Sequence, residues 1–167
     1  MEETAKQEAR EARGRDIVKK YSLWSMGAGA LPLPGLDIAA FMVVQLRMLG
    51  ELAELHSVSF HEQRARGVVA ALLGAASSTL LGRPLVFSLL KGVPVIGSTA
   101  GVLSGAVSMA GLSRAIGRLF IQHFETGGTL LTFDAKAMRA HFMREFEKNE
   151  GAEVRSATPP PVPGPAV

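Results

Sequence analysis

The stretch "GVPVIGSTAGVLSGAVSMAGLS", residues 92–113, contains no charged side chain, and at 3.6 residues per turn it makes about six turns of helix. Glycine recurs at every fourth position through Gly97, Gly101 and Gly105. An interior helical glycine costs about 1 kcal/mol relative to alanine, so three on one stripe need a packing reason. A second row, Ala70, Gly74, Ser78 and Gly82, has the same spacing. Small residues spaced in this way let two backbones approach closely, as helices do in lipid, where no hydrophobic effect drives them together. The two rows are therefore expected to form a glycine-zipper seam. It lies either in a membrane or at the dry centre of a soluble bundle.

Residue usage points to helices. Leu, Ala, Gly, Val and Met dominate the 167 residues, and Tyr, Trp, Ile and Thr are scarce, which favours helix over strand. The length suits one domain with a real core. Hydrophobic residues make up 47% and mean hydropathy is +0.21, high for a soluble domain and well short of a polytopic transporter. Cysteine is absent, which excludes disulfides, thiolate metal sites and thiol nucleophiles. The net charge is only +3, with no aromatic residues interleaved among the cations, so nucleic acid is not an expected partner.

Punctuation divides the chain. Residues 3–30 read as a first helix, with Ile17, Tyr21, Trp24 and Ala28 on one stripe and Arg13, Arg15, Lys19 and Lys20 around it. Pro32 and Pro34 end it, because proline lacks a donor and disfavours helical angles before it. Asp37 begins a second helix, to about residue 56. Ser59 and Glu62 have capping-box spacing for a third, which should break at Arg83-Pro84 and stop near Gly92. A fourth runs over about 97–124 and ends at Gly127-Gly128. Thr132 should cap a last amphipathic helix with Met138, Phe142 and Phe146 on one side.

The segments "LPLPGLDIAAF" and "GVPVIGSTAGV" superpose Pro32 on Pro94 and Gly35 on Gly97. The fold class expected is thus all-α: two apolar helical hairpins with Pro-Gly tips, flanked by amphipathic N- and C-terminal helices, in one domain over 1–150. The proline-rich segment 151–167 is expected to be a disordered tail.

A straight span of the hydrocarbon core needs roughly 20 apolar residues. Only residues 92–113 reach that length, so four independent spans are not expected. Charge placement favours shallow or re-entrant hairpins. The tips at 31–36 and 92–97 are uncharged, whereas the feet hold Arg13, Arg15, Lys19 and Lys20, then Arg47, Arg64 and Arg66, then Arg114 and Arg118. Cationic feet belong on the cytoplasmic side, and Trp24 lies near one of them. The charged N-terminus has no leader-like cleavage site, so both termini are expected in the cytoplasm.

Residues that could carry chemistry are few. Asp37 fits a helix N-cap or first-turn anion, with an ion or partner contact as the alternative. Arg47 with Glu51 reads as a surface pair one turn apart. His56, His61, His123 and His141 share no metal-ligand spacing, and no nucleophile elbow or paired carboxylate frame is present. Neither an enzyme nor a cofactor is expected.

The run "IVKKYSLWSMGAGALPLPGLDIAAFMVVQLRMLGELAELHSVSF", with "VPVIGS" and "GRLFIQHFETGG", resembles the bacterial domain of unknown function 697. That domain also forms the C-terminal part of YcjF-like inner-membrane proteins. The likeness covers about residues 15–130. It is most specific at Pro34-Gly35-x-Asp37, Gln45-x-Arg47-Met48, Pro94-x-x-Gly97, Gly117-Arg118 and His123-Phe124. It implies a membrane-associated helical module, in some members fused to an Era-like GTPase domain. No G-x-x-x-x-G-K-[ST] motif occurs here, so this is expected to be the stand-alone form.

The functional expectation is a non-enzymatic scaffold or recruitment module at the cytoplasmic face of the inner membrane, oligomeric, and working with a separate GTPase. Its contacts to lipid headgroups or a partner would come from Arg13, Arg15, Lys19, Lys20, Trp24, Arg47, Arg118 and His123. The alternative is a soluble helical interaction domain that self-associates or binds a protein partner.

Overall fold

A computed structural model of the chain describes residues 1–29, 36–81 and 99–157, with the backbone alone at 29, 36–37, 77–81, 99–105 and 150–157. Among these residues the structure is helical without strands. The helices are α1 (Glu2–Gly29), α2 (Leu36–Leu55), α3 (Glu62–Leu81), α4 (Thr99–Glu125) and α5 (Ala135–Ala157). The two Pro-Gly corners and the expected break at Arg83-Pro84 lie outside the described residues.

Helix ends follow local chemistry. At the end of α2 the Val58 N–H donates to Ala53 O (2.8 Å) and the Ser57 N–H to Glu54 O (3.0 Å). Those paired bonds close a helix through one left-handed residue. Here that residue is Ser57, at φ 57°, an uncommon place for a side chain. The same closure ends α4, where Gly127 at φ 79° meets the requirement without a Cβ.

Two expected caps shift. The capping box of Ser59 and Glu62 is not formed: the Ala65 N–H donates to His61 O (2.9 Å), so His61 is the N-cap. Glu62 is then the first helical residue, too early to reach back to a cap, and it pairs with Arg66 one turn on (2.9 Å). In α5 the cap is Asp134, not Thr132. Asp134 Oδ1 accepts from the Lys136 and Ala137 amides at 2.9 and 3.1 Å. A carboxylate suits a helix N-terminus better than a hydroxyl, and the Thr132 hydroxyl already accepts from the Thr129 amide (2.8 Å).

Helix α5 also runs past residue 150 to Ala157, into the segment expected to be tail. Extending an existing helix needs no new nucleus, and the first proline after it is Pro159. Residues 158–167 lie outside the description.

The bundle is arranged around α4, which packs on α1, α2 and α5. Helix α1 runs antiparallel to it, and the two meet through glycine. A Cβ on Gly14 would lie 3.1 Å from Ile121 Cδ1, and one on Gly117 would overlap the Val18 side chain. Helix α5 is also antiparallel to α4, with His141 Nε2 2.9 Å from Gln122 Oε1 and Arg118 Nη1 3.4 Å from Glu145 Oε2. Helix α3 packs on α5 and α2. Phe41, Met48, Leu72, Phe120, Phe142 and Phe146 fill the shared interior with no exposed surface or almost none.

One buried knot is polar. Gln45 of α2 donates through Nε2 to Ser25 Oγ of α1 (3.1 Å) and Ser113 Oγ of α4 (3.2 Å). Ser25 Oγ in turn donates to Tyr21 O (2.9 Å). All three side chains are fully buried, so the knot specifies how three helices register as well as how closely they lie.

Gly117→Ala should destabilise the fold by about 1–3 kcal/mol through overpacking against Val18, and Val18→Ala should recover part of that loss in the double variant. Gly74→Ala, where nothing lies within 4 Å of the added carbon, should raise stability by up to about 1 kcal/mol. Urea denaturation followed by circular dichroism measures all of these.

Candidate functional site

The α1–α2 pair presents one polar-apolar edge. Lys20 Nζ donates to both oxygens of Glu51, at 2.9 and 2.7 Å, and the Tyr21 hydroxyl donates to Glu51 Oε1 at 2.6 Å. The ammonium also stands 4.5 Å from the Tyr21 ring centroid. Trp24 follows one turn on, its ring centroid 6.1 Å from that of Tyr21, and is 58% exposed. Leu23 beside it and Ile38 and Val43 on α2 are exposed to a similar degree. Trp24 thus stands in water one helical turn from a fixed lysine.

Burial pushes the Tyr21 phenol up to about 12, and the hydrogen bond and charge of Glu51 add to the rise, against a smaller lowering by Arg47. Burial would raise Glu51 as well, but the bonds from Lys20 and Tyr21 outweigh it and hold the carboxyl below its ordinary range. A carboxyl depressed on folding stabilises the fold above its unfolded value, and that contribution is lost as pH falls through the folded one. Glu51 is partly exposed, so solvent screens the effect.

The edge corrects one expectation. Glu51 is taken by Lys20 and Tyr21 of the facing helix and not by Arg47 one turn before it, since two donors on one carboxylate outweigh a single exposed pair. Of the other cations, Arg13, Arg15, Lys19 and Arg47 are exposed, and Arg15 pairs with Glu11 (3.5 Å). Arg118 is engaged with Glu145.

His123 is turned into the chain. Its Nε2–H donates to Thr129 O (2.9 Å), its ring meets Phe133 edge-on at 5.1 Å, and a Cβ on Gly128 would collide with it. Arg64 of α3 closes the same loop from outside, donating to Leu130 O (3.3 Å) and Phe133 O (3.4 Å). The "HFETGG" run thus builds a folded connection between α4 and α5.

The expected seam is placed only in part. Ala70 and Gly74 lie on an exposed face of α3, and nothing is within 4 Å of a Cβ on Gly74. Ser78, Gly101 and Gly105 are described as backbone alone, and Gly97 lies outside the description. So do the tip residues Pro32, Pro34, Gly35 and Pro94, while Asp37 is the second residue of α2 with its side chain undescribed. Sequence reasoning missed Glu51 as the link between α1 and α2, and the Ser25–Gln45–Ser113 knot. The signal for the knot was present, as polar residues set among apolar ones in three helices.

Among the described residues no helix is long and apolar enough to cross a membrane, and no group of three acidic or histidine side chains is placed to hold a metal ion. The family model described as Domain of unknown function (DUF697) matches residues 2–150, and the chain belongs to that family. It is also 37% identical over 142 residues to "Magnetosome membrane protein 22" of Magnetospirillum gryphiswaldense, an overlap of 82% of this chain and 73% of that one. No solved structure matches it.

Tyr21 is the sole tyrosine, so its ionisation is readable by ultraviolet absorbance without interference from a second phenol. In Glu51→Gln the titration should move down from about 12, because the ionised acceptor is gone, and should stay above the ordinary phenol value because burial remains. An unchanged titration would remove Glu51 from the edge.

Proposed function

We propose that, as a member of the DUF697 family, the chain is a non-enzymatic membrane-associated helical module that holds a protein partner at the cytoplasmic face of the inner membrane. The observation that carries this reading is the exposed Leu23-Trp24 pair within one helical turn of Lys20, which Glu51 holds in place. Tryptophan and lysine are the residues that settle at a membrane–water interface, the indole at headgroup level and the ammonium in water. The relative's printed name, a magnetosome membrane protein, supports membrane association. A separate GTPase is the partner we infer from the GTPase domain fused to some members of the family. The α5 surface, with exposed Arg144, Glu147 and Lys148, offers it charged side chains away from the lipid-facing edge.

The second reading is a soluble interaction domain that self-associates or binds a protein partner. What favours it is the core: the described helices close around buried phenylalanines.

Fractionation separates the two. The untagged chain should sediment with membranes and float with them in a density gradient, and Leu23→Ser with Trp24→Ser should shift it several-fold toward the soluble fraction. Recovery of the wild-type chain as a detergent-free monomer would sink the membrane reading.

A further inference from the structure

Six residues of α1 fall at one helical angle. At 100° per residue Lys6, Arg10, Arg13, Ile17, Lys20 and Trp24 lie within about 40° of a common line. All of them are exposed except Ile17, which is half-buried. The line is about 27 Å long at 1.5 Å per residue. Glu8, Glu11, Arg15 and Lys19 fall on the opposite flank, where both signs are mixed, whereas from Lys6 to Trp24 the line carries four cations and no acid.

The line borders α2 along its length. At one end Lys6, Arg10 and Arg13 form, with Ala9 and Leu55, an open cleft of about 310 Å³. At the other end Lys20 is fixed by Glu51, and Arg47 comes close enough to Tyr21 to act on its charge. Lys6 has only an exposed partner one turn away, Glu2 at 3.0 Å. Arg10 and Arg13 form no ion pair among the described residues. The C-terminal turn of α2 carries no cation, and its negative dipole end explains a basic residue beside Leu55. It does not explain a row that continues to Trp24.

We infer that the Lys6–Trp24 line of α1 is a side-on binding surface for anionic lipid, with Arg10 and Arg13 at phosphate level and Trp24 as its apolar anchor. This rests on the membrane-associated reading and deepens it. The helix lies along the bilayer surface, and the lipid is selected by its negative headgroup. A row of cations with one interfacial aromatic is how an in-plane helix engages an acidic leaflet.

Vesicle sedimentation with the full chain tests it, on phosphatidylcholine with and without phosphatidylglycerol. The wild type should bind the acidic vesicles far better, more weakly as salt rises, with its sole tryptophan emission shifting to the blue. Arg10→Gln with Arg13→Gln should weaken that binding by about 25-fold, at roughly fivefold per cation. Arg15→Gln with Lys19→Gln removes the same net charge from the other flank and should stay near wild type. All four positions are exposed and glutamine is a good helix former, so the helical circular dichroism should not change. Equal losses in the two double variants would overturn the assignment of a face. Equal binding to neutral and acidic vesicles would overturn the line while leaving membrane association standing. Binding to neither would overturn both.

Discussion

Val18 of α1 lies where the Cβ of any other residue at Gly117 would have to be. That contact fixes the separation of α1 and α4, and much of the bundle depends on it. At this spacing Gly14 meets Ile121, and Ser25 and Ser113 come from opposite sides to one amide of Gln45. If α1 stood off by the width of a methyl group, Gln45 would be left buried with unmet donors, a penalty of about 1–3 kcal/mol. Close packing and the polar knot are therefore coupled: the glycine sets the distance and the knot sets the register.

The helices were legible in the sequence, and so were most of their limits, because apolar period and glycine punctuation are local signals. The expected end of α4 at Gly127-Gly128 coincides with a left-handed closure at Gly127. The caps of α3 and α5 were less legible. Ser59 and His61 both lie near the start of α3, and Thr132 and Asp134 near that of α5, and which of each pair caps depends on where the chain turns, not on residue type alone. Glycines show a related limit. Among the described residues nothing lies within 4 Å of a Cβ on Gly74, while Gly117, which belongs to neither row, is a tight contact. A glycine's importance lies in what opposes it, and Val18 is far away in sequence.

The charged residues divide along similar lines. Arg13, Arg15, Lys19 and Lys20 form one cluster in sequence, but helical geometry sends Arg13 and Lys20 to the α2 side and Arg15 and Lys19 to the other. Their separation needed only the helix angle. Knowing which flank is bordered by α2 needed Glu51, whose choice of Lys20 and Tyr21 over Arg47 is a tertiary matter. His123 was equally hidden: a histidine near a helix end reads as a surface cation until Thr129 O and three phenylalanine rings are found around it.

Helix α1 is synthesised before its main partner α4, which follows about 100 residues later, roughly 5–20 s at ordinary rates of translation. Through that interval α2 can close on Tyr21 and Lys20 through Glu51, but Val18 lacks the Gly117 surface it packs on. The sequence of α1 makes that wait tolerable. The N-terminal half is densely charged, so it stays soluble while the chain lengthens. The order of synthesis thus leaves the α4-facing side of a densely charged helix open until Gly117 arrives, and bundle closure is a late event in the life of the chain.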